Sequence, residues 1–600
     1  MLTAIRFVLT YMKRLKLKYS LTILCVIFAA AFSFMTPLII RFTVDTVIGQ
    51  APAELPLGLG NLPETGSLLP YIRANIWLAG LAIVLISVIA HGFTFLRGKL
   101  SAEVSEEFAR RLKNSLYDHI QKLPYSWHSK VQTGDIIQRC TSDVETIRRF
   151  IALQFVQLGR GVFMVLLLVP IMLSMDARMT LVSMVVVPFI FIYAYVFFRQ
   201  VRSRFQAADE AEGYLTTVLE ESVSGIRVVR AFAREDYEIS RFEAAANDYR
   251  EKCRKLITVL AYYWSSSDAL CLIQIAAVFI FGIGWTIKGE ISLGTLLAFS
   301  TYVGMLLWPI REMGRILTDM GRALVSVGRL KEVMDTEVEE LEAGFHLPEG
   351  FRLKGEIEFQ KLSFAYDEAH PILKDINLRI APGETVAILG ATGSGKSTLT
   401  NLIPRLFDDY KGRILIDGVD ITAYNRKDLR RQIGIVLQEP FLYSRSITQN
   451  IGMALKDIDP AKVEKASREA ALHDSISEFE EAYDTVIGER GITLSGGQRQ
   501  RCAMARALVL DPAILIFDDA LSAVDSETEQ IIQRNLLSRK GRATTIIITH
   551  RLTGVALADR IVVLEHGKIA QMGTHQELIA QKGAYQRIWN IQHQLELEAS

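Results

Sequence analysis

The sequence predicts two unlike halves: an all-α membrane domain of six transmembrane helices, fused to a cytoplasmic α/β domain built around a P-loop. Three observations predict it. Half of the 600 residues are hydrophobic and 22% are charged. With a mean hydropathy of +0.22, that mixture fits a membrane part joined to an ordinary soluble part. Every apolar run of spanning length falls before residue 311. After about residue 340, strand-like and helix-like segments alternate, and one strand leads straight into a glycine-rich loop.

The spans are expected at roughly 20–47, 75–96, 152–175, 179–198, 256–287 and 291–310, each at least the ~20 residues that cross a bilayer as a helix. Basic residues set the orientation. Lys13, Arg14, Lys16 and Lys18 precede the first span, and Arg311, Arg315, Arg322, Arg329 and Lys331 follow the last. The loop 48–74 carries only Glu54, Glu64 and Arg73. Both termini are therefore expected in the cytoplasm, on a multi-pass protein of the cytoplasmic membrane. No small-residue cleavage pattern closes the first apolar run, so a cleavable signal is not expected. The segments 97–149 and 199–255 are long, basic and helically periodic. They read as helices continuing about 40 Å beyond the bilayer, with return turns expected at Leu123–Gly134 and Tyr214–Gly225. Charged residues within spans are read singly. Arg41 and Arg160 are expected to snorkel to a surface, and Asp268 to line a polar cavity. Trp308-Pro309 reads as a kink in the sixth span.

A net charge of +1 gives no bulk affinity for nucleic acid. The five cysteines are odd in number and widely spaced, which argues against a disulfide framework or zinc site.

The soluble half carries the chemistry. The strand Thr385–Leu389 runs into Gly390, Ala391, Thr392, Gly393, Ser394, Gly395, Lys396 and Ser397, with a helix expected from Lys396. Strand, loop and helix are the context a phosphate-binding loop needs. Its amides wrap phosphates, Lys396 reaches the terminal phosphates, and Ser397 is placed for Mg²⁺. A second strand, Ile514–Phe517, ends in Asp518 and Asp519, and Asp518 suits the Mg²⁺ hydration shell. His550 follows a third apolar strand, Thr545–Thr549. A capping role is the ordinary reading of such a histidine, and its strand position favours a γ-phosphate contact.

Leu494-Ser495-Gly496-Gly497-Gln498, read with these motifs, resembles the ATP-binding cassette exporters, specifically a multidrug-type half-transporter, over almost the whole chain. The resemblance implies a type I exporter (type IV) membrane domain, and cassettes that pair head to tail with ATP between the P-loop of one and residues such as Ser495–Gln498 of the other. It implies that Tyr366 stacks on adenine, that Thr398 belongs to the nucleotide loop, and that Gln438 links Mg²⁺ to the membrane domain. It also implies that Ser522–Asp525 forms the crossing loop and that Glu489-Arg490-Gly491 touches a partner's inner loops. Leu123–Asp135 and Ser224–Phe232 resemble that family's membrane domain. The domains expected are a segment 1–18, a membrane domain 19–330, a linker 331–352, a cassette 353–592 and a tail 593–600.

One position departs from the pattern. The family's hydrolytic residue after the Mg²⁺ aspartate is usually Glu, and here it is Asp519. The missing methylene draws the carboxylate back, and a misplacement of about 1 Å can cost on the order of 100-fold in rate. The intact signature can still complete a competent site on another chain. This combination resembles the weak-site half of a heterodimeric exporter whose partner half-transporter supplies the glutamate. A slow homodimer, a lipid flippase and an ATP-gated channel are the alternatives. An amphiphilic small molecule is the expected cargo, and membrane lipids surround the spans.

Overall fold

The computed structural model describes residues 2–49, 68–367, 370–488, 491, 493–521, 523–549, 555 and 558–599. The chain divides into two compact units, 1–121 with 132–336, and 122–131 with 337–600.

The first unit is helical. α1 (Leu2–Tyr11) leads by a short turn into α2 (Lys16–Phe42), which ends in a π-helical turn at Thr43–Ile48. α3 (Leu68–Ala74) precedes α4 (Trp77–Lys122), whose 46 residues make a rod about 69 Å long. After the four-residue α5 (Tyr125–His128), α6 (Thr133–Gln138), α7 (Val144–Arg149) and α8 (Phe155–Met175) are joined by two further π-helical turns. α9 (Ala177–Met184) and α10 (Val187–Ser224) follow. α11 (Ile226–Ala231) turns, and α12 (Glu235–Ile287) and α13 (Leu293–Asp335) complete the unit. Six of the helical stretches among the described residues are long and apolar enough to cross a membrane. α13 packs on α2, α8, α10 and α12, around a core that includes Phe34, Leu168, Phe299 and Tyr302.

Several local expectations change. The second return turn lies at 225–234, later than Tyr214–Gly225, because no glycine or proline interrupts Tyr214–Ser224. The helix ends at Gly225, and Ala233 takes a left-handed φ of 48°. Arg41 does not reach for the surface; its guanidinium lies 3.7 Å from Asp45, one turn on. Asp45 also accepts the Gly294 N–H at 2.8 Å and the Ser292 hydroxyl, which ties the end of α2 to the start of α13. Asp268 is exposed, as a residue lining a cavity would be, and it pairs at 2.6 Å with Arg311, which is buried and lies over the Trp264 ring. Arg160 is exposed. Pro309 lies inside the unbroken α13, while the Trp308 side chain, Glu54 and Glu64 lie outside the described residues.

The second unit holds two sheets. An antiparallel one has the order β2-β1-β4-β5, from β1 (Ile357–Ala365), β2 (Pro371–Ile380), β4 (Tyr410–Ile416) and β5 (Val419–Asp420). The other has the order β10-β9-β3-β8-β7-β6. It uses β3 (Thr385–Gly390), β6 (Ile433–Val436), β7 (Ile514–Asp518), β8 (Thr544–Ile548), β9 (Arg560–Glu565) and β10 (Lys568–Gly573). All neighbours from β9 to β6 are parallel. A parallel strand is covered on both faces, which is why β7 and β8 read as unbroken apolar runs and are buried at every residue. α14 (Lys396–Leu402) follows β3, and its Leu399 and Leu402 join Ile388, Ile516 and Ile548 in the core between the sheets.

Candidate functional site

In a parallel sheet, functional loops gather at the carboxyl ends of the strands. Here β3 ends in the glycine-rich loop, β8 lies between β3 and β7, and β7 ends at Asp518, level with Ile548. β6 pairs with the far side of β7, and Gln438 follows it by two residues. The register therefore brings the P-loop, the Asp518–Asp519 pair and the Gln438 segment to one edge. His550 lies outside the described residues, although β8, which leads to it, reaches the same edge.

The loop is tightly built. Gly395 has φ 100°, and a Cβ there would meet Leu373 Cδ2 at 2.7 Å, so this turn has no room for a side chain. The Lys396 ammonium donates to the Gly390 and Ala391 carbonyls, both at 2.9 Å. Burial pulls its pKa below the usual lysine value, and the charges of Asp518 and Asp519 oppose that shift. The Ser394 hydroxyl is buried with no hydrogen-bond partner. Amides of the loop, a buried lysine and an orphaned hydroxyl together fit a bound phosphate chain. Ser397 is partly exposed and Thr398 is buried. The Thr398 hydroxyl lies 3.1 Å from that of Tyr366. The Tyr366 ring is half exposed and packs edge-on against Phe364 and Phe407.

Asp518 is buried and Asp519 partly so. The Asp519 N–H donates to Ile548 O at 2.9 Å, and its φ is 48°. A left-handed backbone at a non-glycine residue is uncommon, with Asp among the residues that tolerate it. A buried carboxylate, a hydroxyl and the Gln438 amide at one sheet edge are oxygen donors of the kind Mg²⁺ takes.

The signature residues form a different device. Ser495 caps the Gly496–Leu508 helix, accepting the Gln498 N–H while the Gln498 side chain accepts the Ser495 N–H. Ser-x-x-Gln is thus a capping box, and it leaves Gly496 and Gly497 partly exposed in the first helical turn. This helix packs on Ile447–Ile451, Pro460–Glu469 and β6. Ser495 and Gln498 bond each other rather than the P-loop. Ser522, Glu489 and Arg490 lie outside the described residues. Asp525 caps the Ser526–Leu537 helix.

Sequence reasoning missed the groups that hold these loops. Gln500 accepts the Ala523 N–H at 3.1 Å, fixing the crossing loop to the signature helix. Arg506 donates to Phe441 O and Asn450 O, both at 2.9 Å, and so anchors the segment after Gln438. Both lie on the helix that the signature opens, which is the one signal that could have found them.

Comparison with known proteins agrees with this geometry. Residues 19–310 match the ABC transporter transmembrane region, and residues 373–522 match the ABC transporter family. The chain is 32% identical to an uncharacterised ABC transporter ATP-binding protein, YknU, of Bacillus subtilis, with 97% of each chain covered. It is 34% identical to a Staphylococcus aureus ATP-binding/permease protein that carries a multidrug-export name, over 98% of this chain and 99% of that one. Among solved structures it is similar to a bacterial Atm1-family ABC exporter with ATP bound, at TM-score 0.78 and 26% identity, over 97% of this chain and 98% of the other.

Proposed function

The chain belongs to the ABC transporters, as an exporter with membrane and ATP-binding parts in one polypeptide, and from that premise we propose that it is one half of a heterodimer exporting amphiphilic small molecules. Its ATPase activity is coupled to transport. In this reading the chain crosses the cytoplasmic membrane with both termini inside, and its parts divide functionally at 19–330 and 353–592. Alternating access requires that ATP bind the closed pair of cassettes much better than the open one.

The observation that carries the heterodimer is Asp519 beside an intact signature. The P-loop amides and Lys396 hold the β- and γ-phosphates, Tyr366 and Thr398 the adenine side, and Ser397, Asp518 and Gln438 are the residues that would hold Mg²⁺. That ion supplies charge neutralisation at the phosphates. Asp519 and His550 are the groups left to orient water and the γ-phosphate. One methylene shorter than glutamate, Asp519 keeps this chain's own site slow. Ser495, Gly496, Gly497 and Gln498 face the partner's nucleotide and serve a site whose glutamate comes from the other subunit.

The test is phosphate release by the purified chain alone and together with a half-transporter bearing Glu after its Mg²⁺ aspartate. The pair is expected to exceed the single chain by about 100-fold. Brisk hydrolysis by the pure homodimer, abolished by Asp519→Asn, overturns the heterodimer and leaves a homodimeric exporter.

A further inference from the structure

We propose that the cavity beneath α1 binds one acyl chain of an anionic phospholipid, with the lipid phosphate at Lys16. The cavity measures about 430 Å³ and is walled by α1, the first turns of α2, the start of α8 and the middle of α13. That volume lies within the range of small-molecule sites. Its walls are apolar, and Met12, Ile147, Ile151, Ala323 and Val327 are buried in them. Its polar side chains are Lys16, Tyr19 and Ser20, all in the first turns of α2. The Tyr19 hydroxyl is already committed to Ile151 O, at 3.2 Å. One end of the cavity is therefore cationic and the rest is hydrocarbon-like, which is the polarity of an anionic amphiphile.

Depth supports a membrane lipid rather than a soluble ligand. The Asp45–Gly294 bond sets α2 and α13 level at one face of the bilayer. At 1.5 Å per residue, Ile23 and Lys16 lie about 33 and 43 Å from that point, and Met320 lies about 39 Å from it along α13. The hydrocarbon core is about 30 Å thick, and 40–45 Å with its headgroups. The cavity thus occupies the headgroup layer on the side where α13 leads to the cassette. Lys16 lies outermost, with Ile23 and Phe155 towards the core. Lys13 and Arg14 are exposed beside it and add to the attraction for an anionic surface. A chain seated here touches α13 directly, so occupancy acts on the helix that joins the spans to the ATPase.

Native mass spectrometry of the full chain in detergent, titrated with phosphatidylglycerol or phosphatidylethanolamine, tests this. The wild type is expected to retain phosphatidylglycerol in preference. Lys16→Gln is expected to lower that retention about fivefold, the effect of one lysine near an anionic surface, while Lys288→Gln leaves it unchanged. Ser20→Trp, at an exposed position, closes the mouth and is expected to abolish retention of the tightest lipid. Monodispersity and ATP binding show that each variant is folded. Equal retention of the two lipids, or retention unaffected by both Lys16→Gln and Ser20→Trp, overturns the proposal. Displacement of the lipid by a transported amphiphile also overturns it, since the cavity then belongs to the transport path.

Discussion

Asp519 joins a short side chain to a constrained backbone. With φ at 48° and its N–H bonded to Ile548 O, the residue cannot readily swing forward to recover the missing methylene. If the short side chain limits hydrolysis as proposed, lengthening it is the direct remedy. Asp519→Glu is expected to raise hydrolysis by the chain alone by about 10- to 100-fold, read as phosphate release at saturating ATP. The longer residue costs about 1 kcal/mol of stability, since glutamate visits the left-handed region less readily. Unchanged hydrolysis in this variant would place the limit elsewhere in the site. The Asp518–Asp519 pair was legible because it is contiguous and follows an apolar strand. The backbone φ was not, because it is set by pairing with β8 about 30 residues away.

At the scale of elements, the signature is first a helix start. Ser495→Ala removes one half of the capping box and is expected to cost about 1 kcal/mol, seen as a lower unfolding midpoint of the full chain. If the chain pairs as proposed, Ser495→Ala is also expected to weaken hydrolysis at the partner's site. The linker is held by a second device. Glu339 is bound by Arg426 and, at 2.7 Å, by Arg430; Asp408 is bound at 2.6 Å by Arg426 and at 3.1 Å by Arg405. Burial alone would raise both carboxyls, but the arginines outweigh it and hold both below the usual carboxylate range. The unfolded chain therefore takes up these protons first. The stability they give is complete above about pH 4–5, where unfolded carboxylates are ionised. It is lost as pH falls through the lowered values. The unfolding midpoint is expected to be flat from pH 7 to about 5 and to drop below that. Glu339→Gln shallows the drop and costs about 3 kcal/mol at pH 7, as breaking a buried pair does. The acidic run at 337–342 read only as a linker because its arginine partners lie about 90 residues away. The spans and the three strands β3, β7 and β8 were readable from local hydropathy, whereas the second return turn was displaced because nothing local broke α10 before Gly225.

Over the whole molecule, the segment 122–131, which sequence assigns to the membrane half, clusters with the cassette. The Lys122 carbonyl accepts the Glu339 N–H at 2.7 Å. The Tyr125 ring stands edge-on to Phe407 at 5.4 Å, and Phe407 meets Tyr366 at 5.2 Å. Three rings thus run from the proposed adenine contact to the loop that returns to the spans. Phe407 is buried and carries no motif, so sequence gave no reason to single it out. If the rings carry closure of the nucleotide site to the spans, Tyr125→Ala leaves ATP affinity of the full chain nearly unchanged but lowers substrate-stimulated hydrolysis. Phe407→Ala lowers both, because it also loosens Tyr366. A double-mutant cycle then separates packing from coupling. Rings in contact contribute about 0.5–1.5 kcal/mol beyond area burial. The double variant is therefore expected to lose stimulation by about 2- to 10-fold less than the product of the single losses. Strict additivity would mean that Tyr125 and Phe407 act independently, and that the segment is held to the cassette through the Lys122–Glu339 bond instead.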